Sequence, residues 1–150
     1  MKAALMTILV SMLPVIELRG GIPYGVVAGL SVKSALVCAL IGNVIPVPFL
    51  IIFTTKVFSW LRKKSEKLNN FVTRMENKAL SKKDVIDKYE FLGLVILVAI
   101  PLPGTGAWTG CLVAAVLEMD WKKAFLAVCL GVVIAGLIVS FITYGAEMFI

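Results

Sequence analysis

Hydrophobic positions along this chain come in blocks of two lengths. Ala3 to Ile16 is apolar apart from Thr7 and Ser11. As a helix that run of about 14 residues reaches roughly 21 Å, short of a ~30 Å hydrocarbon core. Glu17-Leu18-Arg19-Gly20-Gly21-Ile22-Pro23-Tyr24-Gly25 interrupts it, and a second short apolar piece ends at Leu30. After Ser31-Val32-Lys33, a longer stretch from Ser34 to Trp60 can span. It contains Gly42, Asn43, Pro46 and Pro48, which predict a kink. Between residues 60 and 90 the pattern changes. Leu61, Leu68, Phe71, Val72, Met75 and Ala79 recur at helical spacing among charges. This predicts an amphipathic helix lying on a membrane surface. Ser81, with Asp84 three residues on, resembles a capping box that opens a further helix.

The second half has the same layout. Phe91 to Ile100 is a short apolar run, broken by Pro101-Leu102-Pro103-Gly104-Thr105-Gly106-Ala107-Trp108-Thr109-Gly110. A short run to Leu117 follows, then the polar turn Glu118-Met119-Asp120-Trp121-Lys122-Lys123, then Ala124 to Met148, long enough to span. Gly42 within Ala39–Ile45 matches Gly131 within Val128–Ile134, and Leu18, Gly20 and Tyr24 match Leu102, Gly104 and Trp108. The expectation is an all-α, polytopic membrane protein of one domain, built from two repeats, 1–60 and 91–150, with an amphipathic connector at 61–90. Each repeat would be a re-entrant helical hairpin plus a transmembrane helix. The two would be inverted relative to each other. Hairpins that fully cross remain open as the other topology; the short runs favour re-entry.

Composition supports the membrane reading. Of 150 residues, 60% are hydrophobic and 16% charged, and the mean hydropathy is +0.99. A soluble chain this small could not hide so much apolar surface. The lysine and apolar run at the start mimic a signal peptide, but no small-residue cleavage site follows, so a retained membrane segment is expected. Ten of the fifteen Lys and Arg lie between residues 56 and 90, flanked by apolar blocks. The positive-inside rule then places that segment in the cytoplasm of a cell-membrane protein, and argues against nucleic acid as the reason for the charge. With no histidine, imidazole chemistry is excluded. Cys38, Cys111 and Cys129 are far apart in apolar runs and read as small membrane-core residues. No metal site, cofactor or catalytic residue is expected.

The candidate chemistry sits at the two interruptions. Paired Gly/Pro breaks at corresponding places in two halves are a sequence pointer to a transporter site, because freed backbone groups at membrane depth must line protein or a wet cavity. The residues concerned are Gly20, Gly21 and Pro23 in the first break, and Pro101, Pro103, Gly104 and Gly106 in the second. Glu17 is a candidate proton carrier, and Arg19 could clamp an anion or hold Glu17 ionised. An interfacial ion pair that only orients the hairpin is the plainer alternative. Tyr24 and Trp108 could pack against an amphiphilic substrate or anchor at the interface. Asn43 is polar within a spanning segment, and Thr105 and Thr109 offer hydroxyls to a ligand or a helix start. Trp60, Tyr89 and Trp121 read as interfacial anchors.

The segment from Glu17 to Pro23, together with that from Pro101 to Gly110, resembles the small multidrug export protein family. It is more distantly similar to the DedA superfamily. The resemblance implies opposed re-entrant hairpins, an inverted repeat and a transport role. For DedA relatives that role is proton-coupled flipping of polyprenyl phosphate carriers. Glu17 matches the acidic position of the first DedA hairpin and Pro103-Gly104 the Pro-Gly of the second. The arginines expected around that Pro-Gly are replaced here by Thr105-Gly106. The resulting expectation is a proton-coupled exporter or lipid-carrier flippase. Its partners would be the bilayer, protons, a polyprenyl phosphate or an amphiphilic small molecule, and a second copy in a homodimer. The contrasting expectation is an uncoupled lipid scramblase or a membrane scaffold.

Overall fold

A computed structural model describes residues 1–67, 69–70, 73–74, 83–102 and 104–145. Every regular element among the described residues is an α-helix. In chain order these are α1 (Lys2–Ser11), α2 (Glu17–Val27), α3 (Val32–Val44), α4 (Val47–Lys64), α5 (Lys83–Ala99), α6 (Ala107–Val116) and α7 (Trp121–Tyr144). Most of the expected amphipathic pattern, with Leu61, Leu68, Phe71, Val72, Met75 and Ala79, and the Ser81 capping box lie outside the described residues or side chains.

Two segments are long and apolar enough to cross a membrane: Val32–Lys56, of mean hydropathy 2.5, and Trp121–Tyr144, of mean hydropathy 2.9. The second runs for 24 residues, roughly 36 Å at 1.5 Å per residue. Helices α1 and α6, at 10 residues each, reach only about 15 Å. The kink expected in the first long segment is at Ile45 and Pro46, between α3 and α4. There Pro46 stands at the N-cap of α4 and Pro48 in its first turn, where a missing N–H costs nothing.

The first interruption is not where the sequence pattern places it. The chain leaves helix at Met12–Ile16, around Pro14, and Glu17 already belongs to α2. The Gly-rich motif is therefore helical, with Pro23 inside it. Its glycines serve contact. A Cβ on Gly21 would overlap the Ser11 hydroxyl, and one on Gly25 would come within 3 Å of Thr7 and Ala35. Helices α1, α2 and α3 pack on one another through this seam, and Gly42 of α3 lets the backbone of α1 at Ile8 come close. Small residues at such seams allow the near approach from which helices associate in lipid. Thr7 and Ser11, both buried, donate to carbonyls of their own helix, at Ala3 and Thr7.

The second half shows a related arrangement. Helices α5, α6 and α7 pack together, and Gly131 of α7 lies against Val95 and Val98 of α5. The turns after α2 and after α6 are built alike. In the first, Gly29 takes a positive φ and the Leu30 amide donates back to the Gly25 carbonyl. In the second, Glu118 takes the positive φ and the Met119 amide donates to Ala114. Both are the C-terminal motif that turns a chain sharply out of a helix. Each is followed by a capped helix start: the Ser31 hydroxyl accepts from the Ser34 amide, and the Asp120 carboxylate from the Lys123 amide.

The halves interlock rather than lie side by side. Helix α4 packs mainly on α6, and α2 touches α7. The core between them is made of small and β-branched residues, among them Ala39, Val47, Ala107, Cys111, Val128, Val132 and Ala135. Among the described residues, many exposed Leu, Ile, Val and Phe side chains stand on the outside, including Phe49, Phe53, Leu126, Phe141 and Ile142. That apolar exterior suits lipid as its solvent.

Candidate functional site

The site forms where the first break meets the second. After α5 the described residues 100–102 and 104–106 are non-helical, and α6 begins at Ala107. A broken helix exposes two kinds of backbone group: carbonyls beyond the first piece and amides at the start of the second. Here both are met by charges from the start of α2. The Glu17 carboxyl group accepts a hydrogen bond from the Trp108 amide at 3.2 Å, which places it at the positive end of α6. The Arg19 guanidinium donates to the carbonyls of Leu102 and Ile100, the latter at 3.3 Å. It also donates to the Thr105 hydroxyl at 2.8 Å.

Thr105 ties the break to itself. Its oxygen accepts from Arg19 and from the Leu102 amide, the second at 3.2 Å. Its proton can go to the Ile100 carbonyl at 2.6 Å or the Leu102 carbonyl at 2.7 Å. A hydroxyl has one proton and two lone pairs, so Thr105 is saturated. Two glycines let the chain make this loop. Gly104 has φ +83° and Gly106 φ +130°, conformations that side chains rarely adopt. Gly106 also leaves the space that Glu17 fills: a Cβ there would overlap the carboxylate.

Glu17 itself is unusual. It is 4% exposed, and its backbone is left-handed with φ +49°. For a residue with a Cβ, that conformation costs on the order of 1 to 3 kcal/mol and persists only where the surroundings fix it. The sharp entry from Met12–Ile16 into α2 imposes it, and the same entry aims the carboxylate at α6.

Behind this contact lies a narrow void, too tight for a water molecule as it stands. Glu17, Arg19, Gly106, Asn43 of α3 and Val132 of α7 are among its walls. Asn43 is fully buried, and neither its amide oxygen nor its amide nitrogen has a hydrogen-bond partner. The Arg19 Nε–H is likewise without a partner. Asn43 follows Gly42 and Val132 follows Gly131. One wall of the void is thus polar, at Asn43, and another apolar, at Val132.

The sequence matches the family described as Putative small multi-drug export protein over residues 17–138. That range begins at Glu17, just after the first break, and takes in the second break, the first long segment and most of the second. The chain belongs to this family. No curated protein and no solved structure matches it. A transporter-type family and apolar helices long enough to span support a membrane location and a role other than catalysis. Among the described residues, no group of His, Cys, Asp or Glu could hold a metal.

Within this small multidrug export fold, the candidate residues divide into three groups. Glu17, Arg19, Thr105, Gly106 and Trp108 come together directly, and Asn43 joins them at the void. Gly104 shapes the loop, and Pro101 lies in it. Gly20 and Gly21 face Ile16 and Ser11 of their own hairpin, Pro23 lies within α2, and Tyr24 is 40% exposed. Thr109 is half-buried in the first turn of α6. Pro103 lies outside the described residues. Sequence reasoning missed the carbonyls of Ile100 and Leu102, the true partners of Arg19. The Pro-x-Pro spacing was the available signal, because Pro101 has no N–H and leaves the chain around it outside any helical ladder. Ser140, fully buried on α7 with an unpartnered hydroxyl, lies outside the walls of the void. A lone serine in an apolar run carries no pattern that marks it.

Proposed function

We propose that this protein is a proton-coupled membrane exporter in which Glu17 carries the proton and the two helix breaks form the substrate site near the bilayer midplane. In this reading the halves are inverted repeats with re-entrant hairpins, and transport moves one against the other. One observation carries it. Charged side chains join the two breaks: Glu17 on the Trp108 amide, and Arg19 on the carbonyls after α5 and the Thr105 hydroxyl.

Such contacts are sensitive to protonation. An ionised carboxylate at a helix N-terminus is held by the partial charge of that terminus, and a neutral carboxyl is held less. Adding a proton to Glu17 weakens the latch between the halves, and removing it restores the latch. That is the property a coupling residue needs. The Arg19 charge, once its carbonyl partners part, becomes available to an anionic head group.

A second reading is favoured by the completeness of the same contacts. Arg19 spends both terminal nitrogens on the loop, and Glu17 caps a helix. Both charges could then serve only to hold the fold, as expected of a scaffold or an uncoupled lipid scramblase. Proton flux into proteoliposomes under an imposed pH gradient separates the two. The comparison is wild type against Glu17→Gln, with and without a panel of amphiphiles. Amphiphile-dependent flux that disappears in Glu17→Gln supports coupling. Lipid movement that persists unchanged in Glu17→Gln, with no proton flux in either protein, supports the scramblase.

A further inference from the structure

A second feature lies on the lipid side of the breaks. Between α4, the end of α1 and the start of α6 runs an open groove of about 530 Å³. Met12, Phe49, Phe53, Lys56 and Trp108 mark its course. The volume is that of a small-molecule site, commonly roughly 300 to 1,000 Å³. Its walls are apolar, and Phe49 and Phe53 stand 73% and 66% exposed along it.

The groove has direction. Helices α4 and α6 run parallel: the Cys111 thiol lies 3.9 Å from the Val47 carbonyl, while further along Thr55 and Ser59 share a pocket with Glu118 and Met119. Trp108, one turn before Cys111, therefore lies at the Pro46 end. Lys56 lies at the other end, about 15 Å away along α4 by the helical rise. Beyond Lys56 the sequence turns basic, with Arg62, Lys63, Lys64 and Lys67. No acidic residue lines the groove among the described residues.

We infer that this groove binds a single-chain anionic amphiphile, its head group at Lys56 and its tail reaching Trp108. The apolar walls accept the tail. The lysine at the open end, with basic sequence beyond it, selects the sign of the head group. A lipophilic cation would bring like charge to Lys56 and find no carboxylate in return. The groove thus discriminates against the cations that the word multidrug first suggests. Trp108 links it to the site, since this residue lines the Pro46 end of the groove while its backbone amide holds Glu17. The inference names a substrate class for the transport reading and rests on that reading only for its purpose.

The test uses the full chain in phosphatidylcholine vesicles, with Trp60→Phe and Trp121→Phe leaving Trp108 as the sole tryptophan. The probes are ω-bromododecyl sulfate and ω-bromododecyltrimethylammonium, both permanently charged, with bromine at the tail end. The sulfate is expected to quench Trp108 saturably and to be displaced by unbrominated dodecyl sulfate. The ammonium probe should quench only in proportion to its partitioning. Lys56→Gln should raise the half-saturating sulfate concentration about tenfold, the effect of losing one charge-assisted contact, and Lys56→Arg should keep it. Equal saturable quenching by both probes, or no saturation by either, overturns the inference. So does ready disulfide-linked dimer formation by Phe53→Cys with Trp108 shielded from both probes, which would mean that a second copy fills the groove. Glu17→Gln in the same background should still bind the sulfate. Sulfate binding by the protein with Glu17 intact, without any sulfate-dependent proton flux, would sink the transport reading alone.

Discussion

The Glu17 carboxylate occupies the space that a Cβ on Gly106 would need. The charge of the first break and the missing side chain of the second are two sides of one contact. Gly106→Ala must displace the carboxylate and also hold a side chain at φ +130°. Strain and overpacking together cost roughly 2 to 5 kcal/mol. Gly104→Ala, at φ +83° with nothing near its Cβ, meets only the strain, about 1 to 3 kcal/mol. Thermal unfolding in detergent should place Gly106→Ala well below Gly104→Ala in Tm; the reverse order would contradict the contact.

Thr105 is bonded through its hydroxyl on every side, so the methyl group is the expendable part. Thr105→Ser should retain the loop. Thr105→Val should lose about 1 to 3 kcal/mol, because Arg19 and the Leu102 amide lose their acceptor. Chemical or thermal denaturation of the two variants side by side measures the difference.

Glu17→Gln keeps an oxygen to accept from the Trp108 amide but removes the charge. Glu17→Ala removes both. The expected stability losses are below about 1 kcal/mol for the first and about 1 to 2 kcal/mol for the second, as for a helix cap. Proton flux should vanish in both. A Gln variant that is nearly as stable as wild type and still silent separates coupling from folding.

Asn43 provides a contrast between stability and function. Its amide is buried without partners, and filling its place with an apolar side chain of similar size relieves an unsatisfied group. Asn43→Leu should therefore be neutral or stabilising in unfolding measurements, while transport falls. Ser140→Ala, also relieving an orphan hydroxyl, should stabilise without that loss. Equal transport in both variants would remove Asn43 from the site.

Much of this fold was legible in the residues. The two long helices, the kink at Pro46 and the break after Ile100 follow from hydropathy run lengths and prolines. The first break did not. The glycines of Gly20-Gly21-x-x-x-Gly25 read as helix breakers, yet they lie inside α2, because packing against Ser11, Thr7 and Ala35 outweighs their poor intrinsic preference. Pro14, a weaker mark in an apolar run, is where the helix stops. The residues of the site were legible as types, since intramembrane charges are costly. Their partners were not. That Arg19 would meet carbonyls more than eighty positions away is a property of the topology and leaves no local signal.

Helix α4 follows α3 in the chain but packs mainly on α6. It is thus a strap, issued by one half and fastened to the other. If the three-helix block α1–α3 rocks against the rest, the strap stays with its host. The whole rotation must then be absorbed in the two residues Ile45 and Pro46, and Pro46 can turn about only one of its two backbone angles. The elbow therefore sets both the axis and the limit of any such stroke.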